Sequence, residues 1–255
     1  MRKVGIEMKK YTIRYLEELS FNAHPSLQTQ YYDGWVLRFA NGYSSRANSV
    51  NMIYPSTIDI NEKIEECEKR YSKNGLPCIF KVIDEDAEII DGTLIDRGYE
   101  IVTPTDVMIL DLNDKEFVSS ECVISEQVTD EWLETYFALE KYTSKRTCDT
   151  VAQIRRMIQV DTLYCIIKED GKNIACASAV IENGYVYIAN VIVDEMYRCK
   201  GYGRRLCETL LGQAKKKGGH TAYLQVIQKN KIAVNMYEKL GYEKMYSYWY
   251  RRKNV

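Results

Sequence analysis

The segment that most restricts how this chain can fold is GYVYIANVIVDEMYRCKGYGRR, residues 184–205. It begins as an apolar run rich in β-branched and aromatic residues, which predicts a buried strand. A turn with glycines at positions 201 and 203 follows, and a helical pattern begins after it. A strand that leads through such a turn into a helix brings several backbone amides to one place, which suits an anionic ligand.

The charges around this turn strengthen that interpretation. Arg198, Lys200, Arg204 and Arg205 are close together, with no acidic residue between the first and the last. They add full charges to the partial positive charge of a helix start, so we predict that the turn binds a polyanion. A Walker loop is excluded because no Gly-Lys-Ser/Thr sequence is present. A dinucleotide fingerprint matches poorly, because Leu206 occupies its third glycine position.

The chain also repeats itself after about 143 residues. NGYSSRANSV at 41–50 matches NGYVYIANVI at 183–192, and LIDRGYE at 94–100 matches YEKLGYE at 237–243. KNGLPCIFKV at 73–82 matches KKGGHTAYLQV at 216–226. Generic turn chemistry is the alternative, since Asn-Gly is a common hairpin sequence. The predicted order of elements repeats as well, and this favours a duplication.

Each half is predicted to contain helices, then a hairpin, then strand–helix–strand–helix–strand, which is an α+β fold. In the second half we predict helices at 129–142 and 148–160, a hairpin around the turn at 170–171, and a closing strand at 242–253. Helices are predicted to end at Gly218 and Gly241. Residues 113–120 are the predicted linker, which gives domains at 1–114 and 115–255.

Composition narrows the classes of function. The net charge is −1, so no global field recruits nucleic acid or an anionic membrane. We expect no signal peptide and no membrane span, and therefore a cytoplasmic protein. Eight cysteines without a C-x-x-C pair, together with two histidines, argue against a zinc site or any other metal site.

Two adjacent segments resemble a known family. VDEMYRCKGYGRRLCETLLGQA at 193–214 resembles the acetyl-CoA-binding motif of the GNAT superfamily of N-acetyltransferases, and LQVIQKNKIAVNMYEKLGYEKMYSYWYRR at 224–252 resembles the motif that follows it. The resemblance covers residues 123–253, and the first half shares it only through the repeat. It implies two tandem GNAT-like modules, each a mixed, mostly antiparallel sheet flanked by helices. Glu195 departs from the family, which often has proline there.

The resemblance also implies a cofactor site. Backbone amides of the turn would bind the pyrophosphate of acetyl-CoA, and main-chain groups of the preceding strand would pair with the pantetheine arm. A solvated helix start is the alternative for the basic residues. The residues that correspond are Arg198, Cys199, Lys200, Gly201, Tyr202, Gly203 and Arg204 in the turn, and Val191, Ile192 and Val193 in the strand.

Asn230 and Tyr237 complete the implied site. They are seven residues apart, so they lie on one helix face at roughly 10 Å along the axis. Asn230 would contact the pantetheine arm, although a helix N-cap is its strongest structural role. Tyr237 is implied as the general acid that protonates the leaving thiolate, with a half-buried packing tyrosine as the alternative. The general base stays open, with Glu140, Glu182 and Asn190 nearby by topology.

The predicted function is transfer of acetyl from acetyl-CoA to a primary amine of a small molecule, by direct attack in a ternary complex. One alternative is a CoA-binding regulatory protein without turnover. Another is a nucleic-acid-binding protein that uses YSYWYRRK, residues 246–253, which the near-zero net charge opposes. The acceptor stays open among polyamine, amino acid, aminoglycoside and peptide N-terminus. A monomer or a homodimer is expected.

The first module is predicted to be degenerate. Asn48 corresponds to Asn190, so its phosphate turn would fall at 51–62, NMIYPSTIDINE. That stretch has no glycine, arginine or lysine, and it contains Asp59 and Glu62. Leu94 stands where the second half has Tyr237. We therefore expect one acetyl-CoA per chain, bound by the C-terminal half.

Overall fold

A computed structural model describes residues 2–118 and 120–253, with side chains from residue 12 onward. The chain divides into two compact units. The first unit contains the residues up to Asp106, together with Ile227–Lys229 and the residues from Tyr246 onward. The second unit contains Val107–Val226 and Asn230–Met245. The predicted domains, 1–114 and 115–255, are continuous segments, whereas each compact unit also includes strand residues from the other segment.

The first half of the chain contains one long helix, a hairpin, and then alternating strands and helices. A single helix stands where the sequence predicted more than one. A short 3-10 turn at Asp84–Asp86 precedes the last helix of this half. The elements are α1 (Arg2–Ala23), β1 (Gln28–Tyr32), β2 (Trp35–Phe39), β3 (Val50–Met52), α2 (Ile60–Lys73), β4 (Ile79–Ile83), α3 (Ala87–Asp96) and β5 (Glu100–Asp111).

The second half opens with a short strand, β6, that the sequence did not predict, and then follows the predicted order, with two helices before its hairpin. Thr129 caps the first of them, because its hydroxyl accepts a hydrogen bond from the Trp132 amide at 3.1 Å. The elements are β6 (Val123–Ser125), α4 (Asp130–Leu139), α5 (Lys145–Arg156), β7 (Asp161–Glu169), β8 (Lys172–Glu182), β9 (Tyr185–Val193), α6 (Tyr202–Lys216), β10 (Thr221–Ile227), α7 (Lys231–Leu240) and β11 (Glu243–Arg252).

The sheet of each unit is mixed and mostly antiparallel. In the first unit β1, β2 and β3 pair antiparallel, β3 pairs parallel with β4, and β11 pairs antiparallel with β4. In the second unit β6, β7, β8 and β9 pair antiparallel in that order, and β9 pairs parallel with β10. Residues 107–111 of β5 lie beside β10. The predicted α+β class with a mixed sheet is confirmed.

Two turns at equivalent places in the halves share their backbone conformation. Asn41 and Gly42 follow β2 with φ of 53° and 75°, and Asn183 and Gly184 follow β8 with φ of 49° and 78°. Both residues of each pair are in the left-handed region, which asparagine and glycine tolerate best. The repeated Asn-Gly sequence therefore corresponds to a repeated turn.

The core of the second unit lies where α6 packs on its sheet. Buried leucines on one face of α6 meet small residues of β8, including Ala175, Ala177 and Ala179. Alanines on the strand let the helix approach closely, because they leave little side chain between the two backbones. This packing fixes the start of α6 against the end of β9.

From Tyr246 to Arg251 the closing strand β11 lies in the first unit, and its side chains are buried or half-buried on both faces. Tyr246, Tyr248 and Tyr250 are each 2% exposed. On the other face, the Arg251 guanidinium pairs with the carboxylate of Asp91 at 2.6 Å. The tyrosines are therefore buried, and they cannot stack on bases as the nucleic-acid alternative requires.

The loop after β3 is held by a carboxylate. One oxygen of Asp33 accepts hydrogen bonds from the amides of Thr57 and Ile58, both at 2.9 Å, and the other accepts from the Thr57 hydroxyl at 3.0 Å. The buried ammonium of Lys63 lies 3.2 Å from the same carboxylate. The hydrogen bond from the Ile58 amide lowers the pKa of Asp33 most, and burial opposes it. The amide and hydroxyl of Thr57 and the Lys63 ammonium lower the pKa further, so it lies well below the usual range.

None of the helices in the described part of the chain is long and apolar enough to cross a membrane.

Asp33 should make stability depend on pH in the acidic range. Its folded-state pKa is lowered, so its contribution is present above the unfolded pKa, about 3.9, and is lost as the pH falls below it. Asp33→Asn should lower the melting temperature at pH 7, because it leaves the buried Lys63 without a counter-charge. The difference from wild type should shrink below about pH 4. Thermal denaturation between pH 3 and pH 7 measures both effects.

Asp59→Asn is the matched control for that experiment. Asp59 caps α2 by accepting from the amides of Asn61 and Glu62, and asparagine caps a helix as well as aspartate does. Equal melting temperatures for Asp33→Asn and wild type at pH 7 would contradict the assignment.

Candidate active site

The parallel pairing of β9 and β10 ends halfway along β9. In the described residues its register covers 185–188 of β9 against 221–224 of β10. β9 continues to Val193 and stays paired with β8 on its other side, where Val193 lies opposite Ala175. The edge of residues 189–193 on the β10 side is therefore available to an extended ligand, which can pair with a strand edge.

A bulge marks the point where β9 leaves β10. Ala189 lies opposite Ser178 and Ile192 lies opposite Cys176, so two residues of β9 face the single residue Ala177. Asn190, the first of the two, has a φ of 55°. The carbonyl of Ala177 accepts a hydrogen bond from the indole of Trp132 at 3.1 Å. A side chain of α4 thus satisfies a carbonyl beside the disturbed part of the ladder.

The side chain of Asn190 is held at both ends. Its oxygen accepts a hydrogen bond from Nη2 of Arg155 at 2.8 Å, and its nitrogen donates to the hydroxyl of Ser178 at 2.7 Å. Arg155 lies in the last turn of α5 and is 3% exposed. Sequence reasoning missed Arg155 and Ser178, because basic residues in a last helical turn are explained by the helix dipole alone.

The turn after β9 has the backbone needed for an anion. A 3-10 turn at Glu195–Tyr197 is capped by Asp194, and Cys199 and Gly201 then adopt φ of 61° and 86°. The first helical bond of α6 runs from the Arg205 amide to the Gly201 carbonyl at 3.0 Å. The amides of 202–204 precede that bond, so the helix gives them no acceptor. Left-handed residues followed by a helix start form a concave set of amides.

The basic side chains of the turn, at positions 198, 200 and 204, are exposed, and two of them have hydrogen-bond or ion-pair partners. Arg198 donates from Nε to the Val193 carbonyl at 3.2 Å, and Arg204 pairs with Glu208 at 2.9 Å. Lys200 lies over the ring of Tyr197 at 5.1 Å. These contacts hold the cations beside the amides without burying them, so their charges reach a ligand in the turn.

Gly203 is the point where three elements of the site meet. A Cβ atom on Gly203 would lie 3.1 Å from Sδ of Met236 in α7 and 3.8 Å from a methyl of Val193 in β9. From the sequence, Gly203 is interpreted as a residue whose backbone lies close to a bound ligand. The geometry gives it a packing role as well, because even a methyl group here would force the Met236 side chain to shift by a few tenths of an ångström.

Tyr237 and Asn230 lie on α7, as predicted. Tyr237 is 7% exposed and packs against Tyr242 with ring centroids 5.8 Å apart. Burial, with smaller contributions from Cys207 and Tyr187, raises the pKa of Tyr237 well above its usual value. Asn230 caps the helix, because its side-chain oxygen accepts from the Ala233 amide at 3.2 Å.

The three candidates for the general base are not equivalent. Asn190 lies at the bulge itself. Glu182 pairs with Tyr185 at the opposite end of β9, roughly 17 Å along the strand from Asn190 at about 3.3 Å per residue. Glu140 is the exposed C-cap of α4. Among the described residues no cluster of histidine, cysteine, aspartate and glutamate has the make-up of a metal site.

Comparison with known proteins identifies the architecture. A family model described as "Probable histone acetyltransferase Rv0428c C-terminal" matches residues 11–251. The chain belongs to this family of GNAT acetyltransferases.

Individual relatives agree with this assignment. The chain is 26% identical to the Bacillus subtilis (strain 168) protein "Uncharacterized N-acetyltransferase YobR" over 250 residues, 94% of this chain and 98% of that one. A GCN5-related N-acetyltransferase from Kribbella flavida matches in structure with a TM-score of 0.69, 17% identity and 95% of each chain covered. A tandem GNAT protein from the clavulanic acid biosynthesis pathway matches with a TM-score of 0.66 and 11% identity, over 92% of this chain and 86% of that one.

The GNAT chain is therefore an acyltransferase. The resemblance stated from two short segments is confirmed, and so is the α+β fold. The family match extends over the first half as well, where the sequence alone offered only an internal repeat.

Proposed function

We propose that this acyltransferase moves the acetyl group of acetyl-CoA to a primary amine of a small molecule, by direct attack in a ternary complex. The observation that carries the proposal is the open edge of β9, which leads directly into the turn of free amides at the start of α6. An extended arm along the strand and a pyrophosphate in the turn fit those two features in the order in which CoA presents them.

The turn would bind the pyrophosphate through amides of 199–204, with Arg198, Lys200 and Arg204 supplying charge. The pantetheine arm would pair with main-chain groups of Val191, Ile192 and Val193. The side chain of Arg198 bonds the Val193 carbonyl in this structure, so this residue has one lone pair left for a ligand. Asn230 would contact the arm through its side-chain amide, although its oxygen already accepts the capping hydrogen bond of α7.

Tyr237 is our candidate for the general acid. Its raised pKa keeps the phenol protonated at neutral pH, so a proton is available when the C–S bond breaks. The amine nitrogen bonds to the acetyl carbon, the C–S bond breaks, and the phenol proton moves to the leaving sulfur. One N–H proton of the amine is released to solvent as the amide forms, and a solvent proton restores the phenol. A free thiol has a pKa near 8.5, so this transfer is favourable only where the thiolate is also desolvated. The proposal therefore requires the leaving sulfur to lie beside the buried Tyr237 hydroxyl, away from water.

The first segment, residues 1–114, is proposed to be a module without cofactor chemistry. Its loop after β3 corresponds to the phosphate turn, and Asp33 already occupies the amides of Thr57 and Ile58. Leu94, at the place of Tyr237, is fully buried and has no hydroxyl. Residues 115–255 then form the catalytic segment of a tandem pair. The repeated strand order and Asn-Gly turns support a duplication.

A non-catalytic CoA-binding protein is the second candidate. The open strand edge and the amide turn would serve it equally well, and only Tyr237 favours turnover. An assay for free thiol release with a panel of amines separates the two. Release that requires an added amine supports the transferase. Binding of acetyl-CoA without release for any amine of the panel would favour the binding protein.

Gly201→Ala should weaken acetyl-CoA binding about tenfold to a hundredfold, because hydrogen bonds to a charged group contribute about 1.5–3 kcal/mol. The matched control is Gly218→Ala. Both glycines are left-handed, with φ of 86° and 90°, and neither has an atom within 4 Å of an added Cβ. Both changes should therefore cost about 1–2 kcal/mol of stability. Calorimetry that finds equal affinities in the two variants would place the pyrophosphate elsewhere.

Tyr237→Phe should lower kcat by roughly 10²–10⁴ and leave the affinity for acetyl-CoA unchanged. Tyr242→Phe is its control, because this neighbouring hydroxyl is buried and has no hydrogen-bond partner among the described residues. The thiol-release assay with the best amine of the panel gives kcat for both. A loss of less than threefold for Tyr237→Phe would assign the proton transfer to water or to another group.

Native mass spectrometry at saturating acetyl-CoA should find one cofactor per chain. The first segment has an internal carboxylate where a phosphate would bind, and a second CoA would have to displace it. Two cofactors per chain would contradict the proposal that the first module is degenerate.

A further inference from the structure

We propose that Arg155 and Asn190 are a positioning pair that holds the bulge of β9, and with it the strand edge on which the thioester lies. The inference rests on the proposed function. It concerns neither a ligand contact nor a proton transfer, since both side chains bond to protein groups.

The backbone of Asn190 needs support. A φ of 55° inside a strand is costly for a residue with a Cβ, although asparagine tolerates it better than most. The bulge also creates a choice of register, because a shift of one residue would turn each following side chain to the other face. Val191, Ile192 and Val193 follow directly, so the register at Asn190 decides which of their main-chain groups face the open edge.

The Asn190 side chain fixes that register through two directional bonds. Its carbonyl oxygen needs a donor, which Arg155 supplies at 2.8 Å, and its NH₂ group needs an acceptor, which Ser178 supplies at 2.7 Å. A guanidinium has donors only. If the Asn190 amide were flipped, its NH₂ group would face the N–H groups of Arg155 and no hydrogen bond could form. The Ser178 hydroxyl in turn reaches the Ala189 carbonyl at 3.4 Å, on the strand that carries the bulge.

Arg155 is itself held in place. It is 3% exposed, its guanidinium lies 6.0 Å from the ring centre of Tyr136, and its carbonyl accepts from the Tyr164 hydroxyl at 3.5 Å. A buried guanidinium is expensive and would be replaced by an apolar side chain if only packing mattered. Its directional donor toward Asn190 is the property that an apolar residue lacks.

The turn proposed to bind the pyrophosphate should keep its conformation when this pair is lost. Asp194 follows β9, donates its amide to the Ile174 carbonyl at 2.8 Å, and caps the 3-10 turn with its side chain. Loss of the pair should therefore misplace the acetyl group and spare the phosphates. A displacement of about 1 Å at the reacting atoms costs on the order of 100-fold in rate.

The test compares Arg155→Met, Asn190→Ala, their double variant, Asn190→Gly and the control Arg156→Met. Arg156 is the next residue, is exposed, and pairs with Asp130 at 2.8 Å. We expect Arg155→Met and Asn190→Ala each to lower kcat about 10- to 100-fold, with the affinity for acetyl-CoA unchanged within threefold. The double variant should be little worse than either single variant, because one pair is lost in both. Arg156→Met should match wild type.

Asn190→Gly separates positioning from chemistry. Glycine adopts a φ of 55° without steric cost, so it should recover part of the kcat that alanine loses. Additive effects of the two single changes, or a raised KM for the amine at unchanged kcat in Arg155→Met, would overturn the proposal. Additivity would mean that the two side chains act independently, and a raised KM would make Arg155 an acceptor-binding residue instead.

Hydrogen exchange gives a readout that does not depend on turnover. The amides of 189–193 should exchange faster in Arg155→Met than in wild type, while those of α6 keep their protection. Unchanged exchange in β9 would overturn the inference even if the enzyme is active. Faster exchange in a protein that releases no thiol would retain the inference and reject the proposed function. If Arg155→Met does not fold, Asn190→Ala, which removes the acceptor of the same bond, takes its place in the exchange experiment.

Discussion

The second unit depends on one interruption, the end of pairing between β9 and β10 after Ile188 and Leu224. A strand inside a sheet normally uses both edges, and its main chain is then closed to ligands. Here β9 keeps β8 on one side and loses β10 on the other, so its conformation must be maintained by other contacts. The bulge, the indole of Trp132 on the Ala177 carbonyl, and the packing of α6 and α7 around Gly203 provide them.

The two halves share an order of elements but differ in the loop that follows the equivalent strand. In the second half the turn after the strand has left-handed residues at 199 and 201, basic side chains, and amides without an acceptor in the helix. In the first half the corresponding loop has the carboxylate of Asp33 on its amides, and the buried Lys63 balances that charge. A carboxylate supplied by the chain itself is always present at high effective concentration, so an external phosphate competes poorly for the same amides.

Local signals predicted most of the fold. Thr129, Gly218 and Gly241 mark helix ends through caps that involve only neighbouring residues, and they lie where the sequence placed them. Contacts between residues far apart in the sequence could not be predicted from local patterns. The bond between Arg155 and Asn190 joins residues 35 apart, and the bonds of Asp33 reach residues 24 and 25 further on. The packing role of Gly203 depends on Met236, which no pattern around the turn contains.

The burial of Glu17 gives a physical reason why the end of the chain belongs to the first unit. Its carboxylate is fully buried and accepts from the Tyr246 hydroxyl at 2.6 Å, and it also pairs with the ammonium of Lys81. Removing one partner of a buried ion pair is more costly than never forming it, because the remaining charge stays desolvated. Burial lowers the pKa of Lys81, and the neighbouring Glu17 carboxylate opposes that shift. Without β11 the carboxylate would lose its neutral donor, and Asp91 would lose Arg251. The first unit is thus incomplete without the end of the chain, because its carboxylates at Glu17 and Asp91 take partners from β11.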